Sequence, residues 1–442
     1  MFLRRLVLRN IRSIRELDLS FTGPSGARNW TYLLGENGTG KSSVLRAIAL
    51  VMAGADAISE LAGDPDNWIR LGQDKASIEV TFATAENEDR QASLRFQRGQ
   101  GTFEFLDKNR DALLQIDAAV AKADRNYFVV GYGVTRRTAD ERLSSSGASP
   151  FRSPRAQASG TLFSGDAPLV SLERWAMDLD YRKGHLGLQV VEAAFHTLLP
   201  DVDFSRIDRE RRQILFKTPD GELPLAALSD GYQAMAAWCG DLLFRITETF
   251  SDHQDPLKAR GVLLVDEIDL HLHPIWQRRL VEFLRGTLPN LQVVLTTHSP
   301  LTVHSADEGE LFVMRRDSGG GTVMQAYSGA PNKLMLHQLL QSPIFGLETL
   351  DSPQVAAARD ELRTLQGVGT TSPRQTATIK RRIRSLTETL ADVPNWRAVP
   401  PYLAQTNKLL ERVARELTDE SEAEPLRRLS AQEGSARKPK RK

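Results

Sequence analysis

The first twenty residues alternate apolar and polar positions. This predicts two short strands, around Leu6-Val7-Leu8 and Leu17-Asp18-Leu19, joined through Asn10-Ile11-Arg12-Ser13. Trp30 to Leu34 is an apolar run of strand length, after which the period lengthens. Val44, Leu45, Ile48 and Val51 fall on one helical face, which Gly54 ends. Period 2 returns at Ile78, Val80 and Phe82, at Leu94 and Phe96, and at Phe103 and Phe105, which predicts an antiparallel meander. Tyr127 to Gly131 reads as a buried strand. Residues 138–168, rich in Ser, Gly, Arg and Ala and without periodicity, predict a mobile loop too long to be a passive connector.

Helical spacing resumes with Leu172, Trp175 and Leu179, then with Leu188, Val191, Phe195 and Leu198. A hairpin is predicted around Ile214-Leu215-Phe216 and Thr218-Pro219-Asp220-Gly221, and a long helix from Leu228 to Phe250. Val262 to Val265 is a wholly apolar strand. Pro274 opens an amphipathic helix carrying Trp276, Leu280, Phe283 and Leu284, and Gln292 to Thr297 is the next strand, running into His298. Leu311 to Met314 and Val323 to Ala326 flank Asp317-Ser318-Gly319-Gly320-Gly321, a hairpin signal. Beyond about residue 350 only helical faces remain: Val355, Ala358, Leu362 and Leu365; Ile379, Ile383, Leu386 and Leu390; Leu403, Leu410, Val413 and Leu417. The pattern is α/β. It divides into a head over residues 1–330, with an insert of loop and helical lid at 138–200, a helical extension over 331–425, and a basic, disordered tail over 426–442.

Composition changes this picture little. Of 442 residues, Lys and Arg number 57 and Asp and Glu 56, so no global field points to nucleic acid or membrane, and a nucleic-acid surface would be a local patch. The single cysteine, Cys239, lies in an apolar helical run, which excludes a disulfide within the chain and predicts a buried thiol. No run approaches 18 apolar residues and the N-terminus lacks the apolar core of a signal peptide, so the expected location is cytoplasmic.

Between the Trp30–Leu34 strand and the helix after it lies Gly35-Glu36-Asn37-Gly38-Thr39-Gly40-Lys41-Ser42-Ser43, which fits G-x-x-x-x-G-K-[ST] at every fixed position. Glycines let the backbone curl so that its N–H groups point inward, and the helix N-terminus adds positive charge where phosphates sit. Lys41 is expected to reach the β- and γ-phosphates and the Ser42 hydroxyl to ligate Mg²⁺. The partner carboxylate such a loop needs closes the strand Gly261 to Val265. Asp266 would hold the Mg²⁺ shell and Glu267 would orient and deprotonate the attacking water. Ser229, with the free N–H groups of a helix start at Asp230-Gly231, makes a second anion site. It lies too far along the chain to duplicate the first. His271 and His273 could suggest zinc, but no further Cys or His set at structural-site spacing accompanies them.

Leu228-Ser229-Asp230-Gly231-Tyr232-Gln233 resembles the Leu-Ser-Gly-Gly-Gln signature of ATP-binding-cassette ATPases, departing at Asp230 and Tyr232, which leaves Gln233 unassigned. His298 stands where that family has its switch histidine and Asp269 where it has its D-loop aspartate. With the ordered motifs before them, these residues make the chain similar to an ABC-type ATPase of the SMC/RecF/OLD branch, in the Septu-like subgroup of bacterial defence ATPases. The resemblance covers about residues 1–330. It implies a P-loop NTPase head with an antiparallel β subdomain, dimerising around two ATP molecules, with Ser229 and Gly231 offered to the other subunit's γ-phosphate. It also places Arg12 among the nucleotide contacts. Tyr132 and Arg136, in Gly131-Tyr132-Gly133-Val134-Thr135-Arg136-Arg137, fall where the family has the loop linking ATP to the lid. The Asp-x-Asp pair of a Toprim nuclease does not follow His298, so no nuclease site is expected in this chain. The resemblance implies instead a separate effector, an HNH or Toprim nuclease, with DNA or RNA sensed or clamped by the ATPase and no membrane involved. Higher oligomers beyond the dimer are open, as is a repair or recombination ATPase without an effector, or a signalling ATPase acting on proteins alone.

Overall fold

The computed structural model describes residues 2–23, 26–84, 88–122, 128–136, 149–199, 202–251, 253, 255–317, 319–367 and 373–391. The chain forms two compact units, Met1–Phe345 and Gly346–Lys442.

In the first unit a hairpin of β1 (Phe2–Ile11) and β2 (Ile14–Ser20) precedes two very short strands, β3 (Thr22–Gly23) and β4 (Gly26–Ala27), and then β5 (Trp30–Gly35). The glycine-rich loop leads into α1 (Lys41–Met52) and α2 (Ala55–Leu61). Strands β6 (Lys75–Ala83) and β7 (Asp89–Gln97) return to the first hairpin, giving an antiparallel sheet of order β2-β1-β6-β7. Helices α3 (Thr102–Lys108) and α4 (Arg110–Lys122) follow, then β8 (Val129–Tyr132) and α5 (Pro154–Phe163), α6 (Leu172–Lys183) and α7 (His185–Leu198). A small antiparallel sheet of β9 (Asp203–Asp208), β10 (Gln213–Thr218) and β11 (Gly221–Pro224) precedes α8 (Asp230–Thr249). The remainder is β12 (Gly261–Val265), α9 (Pro274–Thr287), β13 (Leu291–Thr297), α10 (Pro300–Val303), β14 (Leu311–Arg316), β15 (Thr322–Ala326) and α11 (Leu336–Gln341).

The central sheet has order β15-β14-β5-β13-β12-β8, parallel except for the antiparallel edge strand β15. Its middle strands β5, β13 and β12 are buried almost throughout because both faces are covered. Leu33, Val262, Leu264 and Val294 face a core shared with α1 and the antiparallel sheet, while Tyr32, Leu34, Leu263, Val265, Val293 and Leu295 belong to a second core. That second core also takes residues of α6, α8 and α9. Helix α1 lies between the two sheets, so ten of its twelve residues are buried and the loop before it is held from both sides. Buried Gln292 stitches the sheets together. It accepts the Leu3 N–H at 2.6 Å and donates to the carbonyls of Leu3 and Arg28 at 3.1 and 2.9 Å.

Two local expectations give way. Phe103 and Phe105 do not form a third strand of a meander but lie in α3, with Phe105 stacked on Phe96 at 4.8 Å and Phe103 82% exposed. Two alternate aromatics do not define a period. The helix forms because Asn109 ties it down, donating to Phe105 O at 2.7 Å while accepting the Arg95 N–H at 2.7 Å. The second concerns residues 138–168. Residues 137–148 lie outside the described residues, but Pro154–Phe163 is the helix α5 rather than irregular chain. It packs closely on β8 because glycines stand opposite it. A Cβ on Gly131 would stand 2.3 Å from Leu162 Cδ1, and one on Gly133 only 1.9 Å from the Thr161 carbonyl oxygen.

In the second unit α12 (Pro353–Gly367) pairs with α13 (Pro373–Thr389) through a fork of Arg382 onto Glu361, at 2.7 and 2.8 Å. The helix expected through Leu403 to Leu417 and the basic tail lie outside the described residues. No helix among the described residues is long and apolar enough to cross a membrane.

Candidate functional site

Strand order places the chemistry. In the sequence β5-β13-β12 of neighbouring parallel strands, the carboxyl ends carry the glycine-rich loop, His298, and Asp266 with Glu267, all at one edge of the sheet. Along the sequence the loop lies more than 200 residues before the other groups.

The loop from Gly35 to Gly40 turns on two glycines in the left-handed region, Gly38 (φ 78) and Gly40 (φ 97). Gly40 also admits a neighbour: a Cβ there would meet the Ser13 hydroxyl at 2.8 Å, so the turn between β1 and β2 bears directly on the loop. Lys41 Nζ donates to the carbonyls of Gly35 and Glu36 at 2.8 and 3.0 Å, and Thr39 Oγ1 to Glu36 O at 2.9 Å. Burial lowers the Lys41 pKa, while the carboxylates of Asp266, Glu267 and Asp269 pull it back up. This places the ammonium and the three carboxylates in one electrostatic cluster. Asn37 is exposed, as are Glu36 and Gly38, whereas Thr39 and Ser43 are buried. The Ser42 hydroxyl has no hydrogen-bond partner among the described residues. The outer strands clasp the loop as well: Arg316 Nη2 donates to Gly38 O at 3.2 Å and Thr322 Oγ1 to Thr39 O at 2.9 Å.

Asp266 is 2% exposed and is aimed by Thr296, whose hydroxyl donates to its Oδ1 at 2.6 Å and accepts the Glu267 N–H at 2.7 Å. Glu267 sits at φ 47, an unusual setting for a residue with a side chain. Arg136 holds that backbone in place. Its Nη2 donates to the carbonyls of Asp266 and of Glu267, the latter at 2.8 Å, and its Nε to Gly133 O at 2.9 Å. The guanidinium also stacks on Trp238 of α8 at 5.4 Å, and burial lowers its pKa to about 10. Thr297 Oγ1 donates to Asp269, so the two threonines before His298 anchor both sides of the acidic turn. His298 itself is exposed at the strand end.

A loop with two left-handed glycines, a lysine at its helix start and a buried aspartate at the end of the next strand but one fits the phosphates and divalent ion of a nucleotide. The family model described as "AAA domain, putative AbiEii toxin, Type IV TA system" matches residues 31–304, from β5 to just past His298. The chain belongs to this AAA-domain family. It is 27% identical over 418 residues to the Septu protein PtuA of Bacillus mycoides, covering 92% of this chain and 54% of that protein. It is 32% identical over 128 residues to the Escherichia coli protein named "Retron Ec83 probable ATPase", covering 29% of this chain and 24% of that one. The chain therefore spans about half the length of the first relative and about a quarter of the second. Among solved structures, an SMC head bound to the C-winged helix domain of ScpA aligns with a TM-score of 0.45 and 16% identity, over 74% of this chain and 98% of that one.

Among the described residues, the remaining motif residues of this AAA-domain protein make no hydrogen bond to the loop. Ser229 precedes α8 as an exposed residue whose side chain makes no capping bond, and Gly231 packs so closely on Trp276 that a Cβ would stand 2.8 Å from the ring. Among the described residues no hydrogen bond or ion pair joins Ser229, Asp230 or Gly231 to the phosphate loop. Gln233, left unassigned by the sequence, turns back on its own chain and donates to Leu228 O at 2.7 Å. His273 caps α9, accepting the Ile275 N–H at 3.4 Å, whereas His271 sits at φ 63 in the turn before it. Only His273 has a capping bond here. Arg12, also left-handed at φ 49, lies over the Trp68 ring at 4.8 Å, and burial together with the nearby Arg46 lowers its pKa. Tyr132 is buried, its hydroxyl donating to Asp241 at 2.7 Å. Cys239 is fully buried and its thiol pKa is pushed up. Sequence reasoning missed Thr296, Arg316 and Thr322 and carried Arg136 only as a matching position. The pair of threonines before His298 was the one local signal available.

Proposed function

We propose that this chain is an ATP-binding and hydrolysing switch that works as a homodimer, controls a separate effector protein and serves in bacterial anti-phage defence. The observation that carries the reading is the division of the site. The phosphate loop, Asp266, Glu267 and His298 share one sheet edge, whereas Ser229 and Gly231 stand at an open helix start with no bond to that loop. A second copy would bring its helix start to this subunit's nucleotide and receive the reciprocal contact. In this reading Ser42 and Asp266 hold Mg²⁺, Lys41 and the loop from Gly35 to Ser43 hold the phosphates, Arg12 supports them, Glu267 takes the proton of the attacking water and His298 senses the terminal phosphate. The defence setting draws on the names of the relatives. The effector draws on the family resemblance, which implies an HNH or Toprim nuclease triggered through DNA or RNA.

Complementation tests the dimer. Lys41→Ala and Ser229→Arg are each expected to be inactive alone. An equal mixture should recover about a quarter of wild-type turnover, because half the dimers are mixed and each of those has one intact composite site. Mixed dimers that form and stay inactive would overturn the shared site.

A further inference from the structure

The outer face of the β2-β1-β6-β7 sheet carries a groove of about 500 Å³ that the phosphate loop does not line. Its walls include four cations, Arg9, Lys75, Arg95 and Lys108, against one carboxylate, Glu79. The register explains the clustering. Arg9 stands opposite Ser77 and Ser77 opposite Arg95, so two guanidinium-bearing positions flank one hydroxyl across three adjacent strands, roughly 10 Å from first to last. Lys75 lies two residues along β6 on the same face.

Glu79 is already engaged, because Arg9 Nη1 donates to it at 2.6 Å, and Lys108 Nζ donates to Gln97 Oε1 at 3.1 Å. Lys75 and Arg95 are exposed, and neither side chain has a hydrogen-bond or ion-pair partner among the described residues. Gln100, in the same wall, is 7% exposed. Its Oε1 accepts the Gln97 N–H at 2.9 Å, while its Nε2 is buried without a partner.

The unpaired groups named here are all donors, and the positive charge is only partly compensated. That chemistry selects an anion with several acceptor oxygens, and the volume suits a ligand of nucleotide size. We propose that this groove is a second, separate phosphate-ester site, with the exposed Lys75 and Arg95 on the phosphate. A free nucleotide and a nucleotide unit within a strand present the same chemistry. The groove also adjoins the first site: Arg9 and Asn10 run straight into the Arg12-Ser13 turn that packs on Gly40. An occupant against Asn10 would therefore be three residues from Ser13, which contacts the phosphate loop.

The test uses the full chain, saturated with a non-hydrolysable ATP analogue so that the first site is filled. The probes are a labelled twenty-nucleotide single strand and a nucleoside monophosphate. Wild type is expected to bind at least one of them. Lys75→Glu with Arg95→Glu should weaken that binding at least tenfold and make the salt slope shallower by about two, with ATP-analogue binding unchanged. Strand binding that millimolar monophosphate displaces assigns the site to a free nucleotide. Strand binding that resists displacement assigns it to nucleic acid. A charge-matched control, Arg174→Glu with Lys217→Glu, should bind as wild type. Should the reversal variant lose the ATP analogue, Lys75→Ala with Arg95→Ala serves in its place, with a loss of at least fivefold expected. Absence of binding by wild type, wild-type affinity in the groove variant, or equal loss in the control would each overturn the proposal. Because ATP-analogue binding is read in the same samples, this outcome is independent of the dimeric reading.

Discussion

Arg136→Ala is the most informative single change at the acidic turn. The side chain donates to three carbonyls, those of Gly133, Asp266 and Glu267, and stacks on Trp238. With its pKa lowered only to about 10, it is charged at neutral pH. Bonds from a charged donor contribute about 1.5–3 kcal/mol each, and the cation–π contact about 0.5–1 kcal/mol. Their full sum overstates the loss, because water entering the vacated space can reach the freed carbonyls. A net destabilisation of about 2–4 kcal/mol is expected. The functional effect should be larger than this implies. Glu267 stays at φ 47 only because its surroundings hold it there, and such a setting costs of order 1–3 kcal/mol. Once the clamp is gone, a carboxylate displaced by 1 Å can cost on the order of 10² in rate. Denaturant unfolding, binding of a labelled ATP analogue and steady-state turnover would be measured on the same preparations. Analogue binding should stay near wild type, because the Lys41 loop keeps all its bonds. Turnover within twofold of wild type, alongside the expected loss of stability, would refute the positioning argument and leave Arg136 a structural staple.

The loop and the acidic turn should separate kinetically. Lys41→Ala is expected to abolish ATP binding, whereas Glu267→Gln should bind ATP and hydrolyse it on the order of 10²–10⁴ more slowly, read by analogue binding and turnover together. Near-normal turnover of Glu267→Gln would remove its assignment as base. Asp241 is fully buried and accepts from Tyr132 Oη at 2.7 Å, from Val170 N at 2.8 Å and from Arg245 Nε at 2.6 Å. Asp241→Ala leaves Arg245 without its partner and should lower the unfolding free energy by about 3–5 kcal/mol; a loss below 1 kcal/mol in denaturant unfolding would contradict that account.

The elements legible in the sequence are those whose physics is local. A phosphate loop needs its glycines, lysine and serine within nine consecutive residues, between a strand and a helix, so Gly35 to Ser43 could be read directly. The strand β12 could be read because it is covered on both faces and wholly apolar, and the acids after Val265 then marked its carboxyl end. Phe103 and Phe105 misled because two alternate aromatics fit a strand or a helix equally, and only packing on Phe96 decides. Helix α5 misled because the glycines that admit it, Gly131 and Gly133, lie outside it in the chain. The tertiary structure alone decided the order β5-β13-β12, which brings His298 between the phosphate loop and Asp266. It also decided the reach of Arg136 over 131 positions to Glu267 and of Thr296 over 29. Nothing in either residue's neighbourhood encodes such a bond. It exists because the strands end at a common edge, and that edge is set by how two apolar faces of one sheet find their covers.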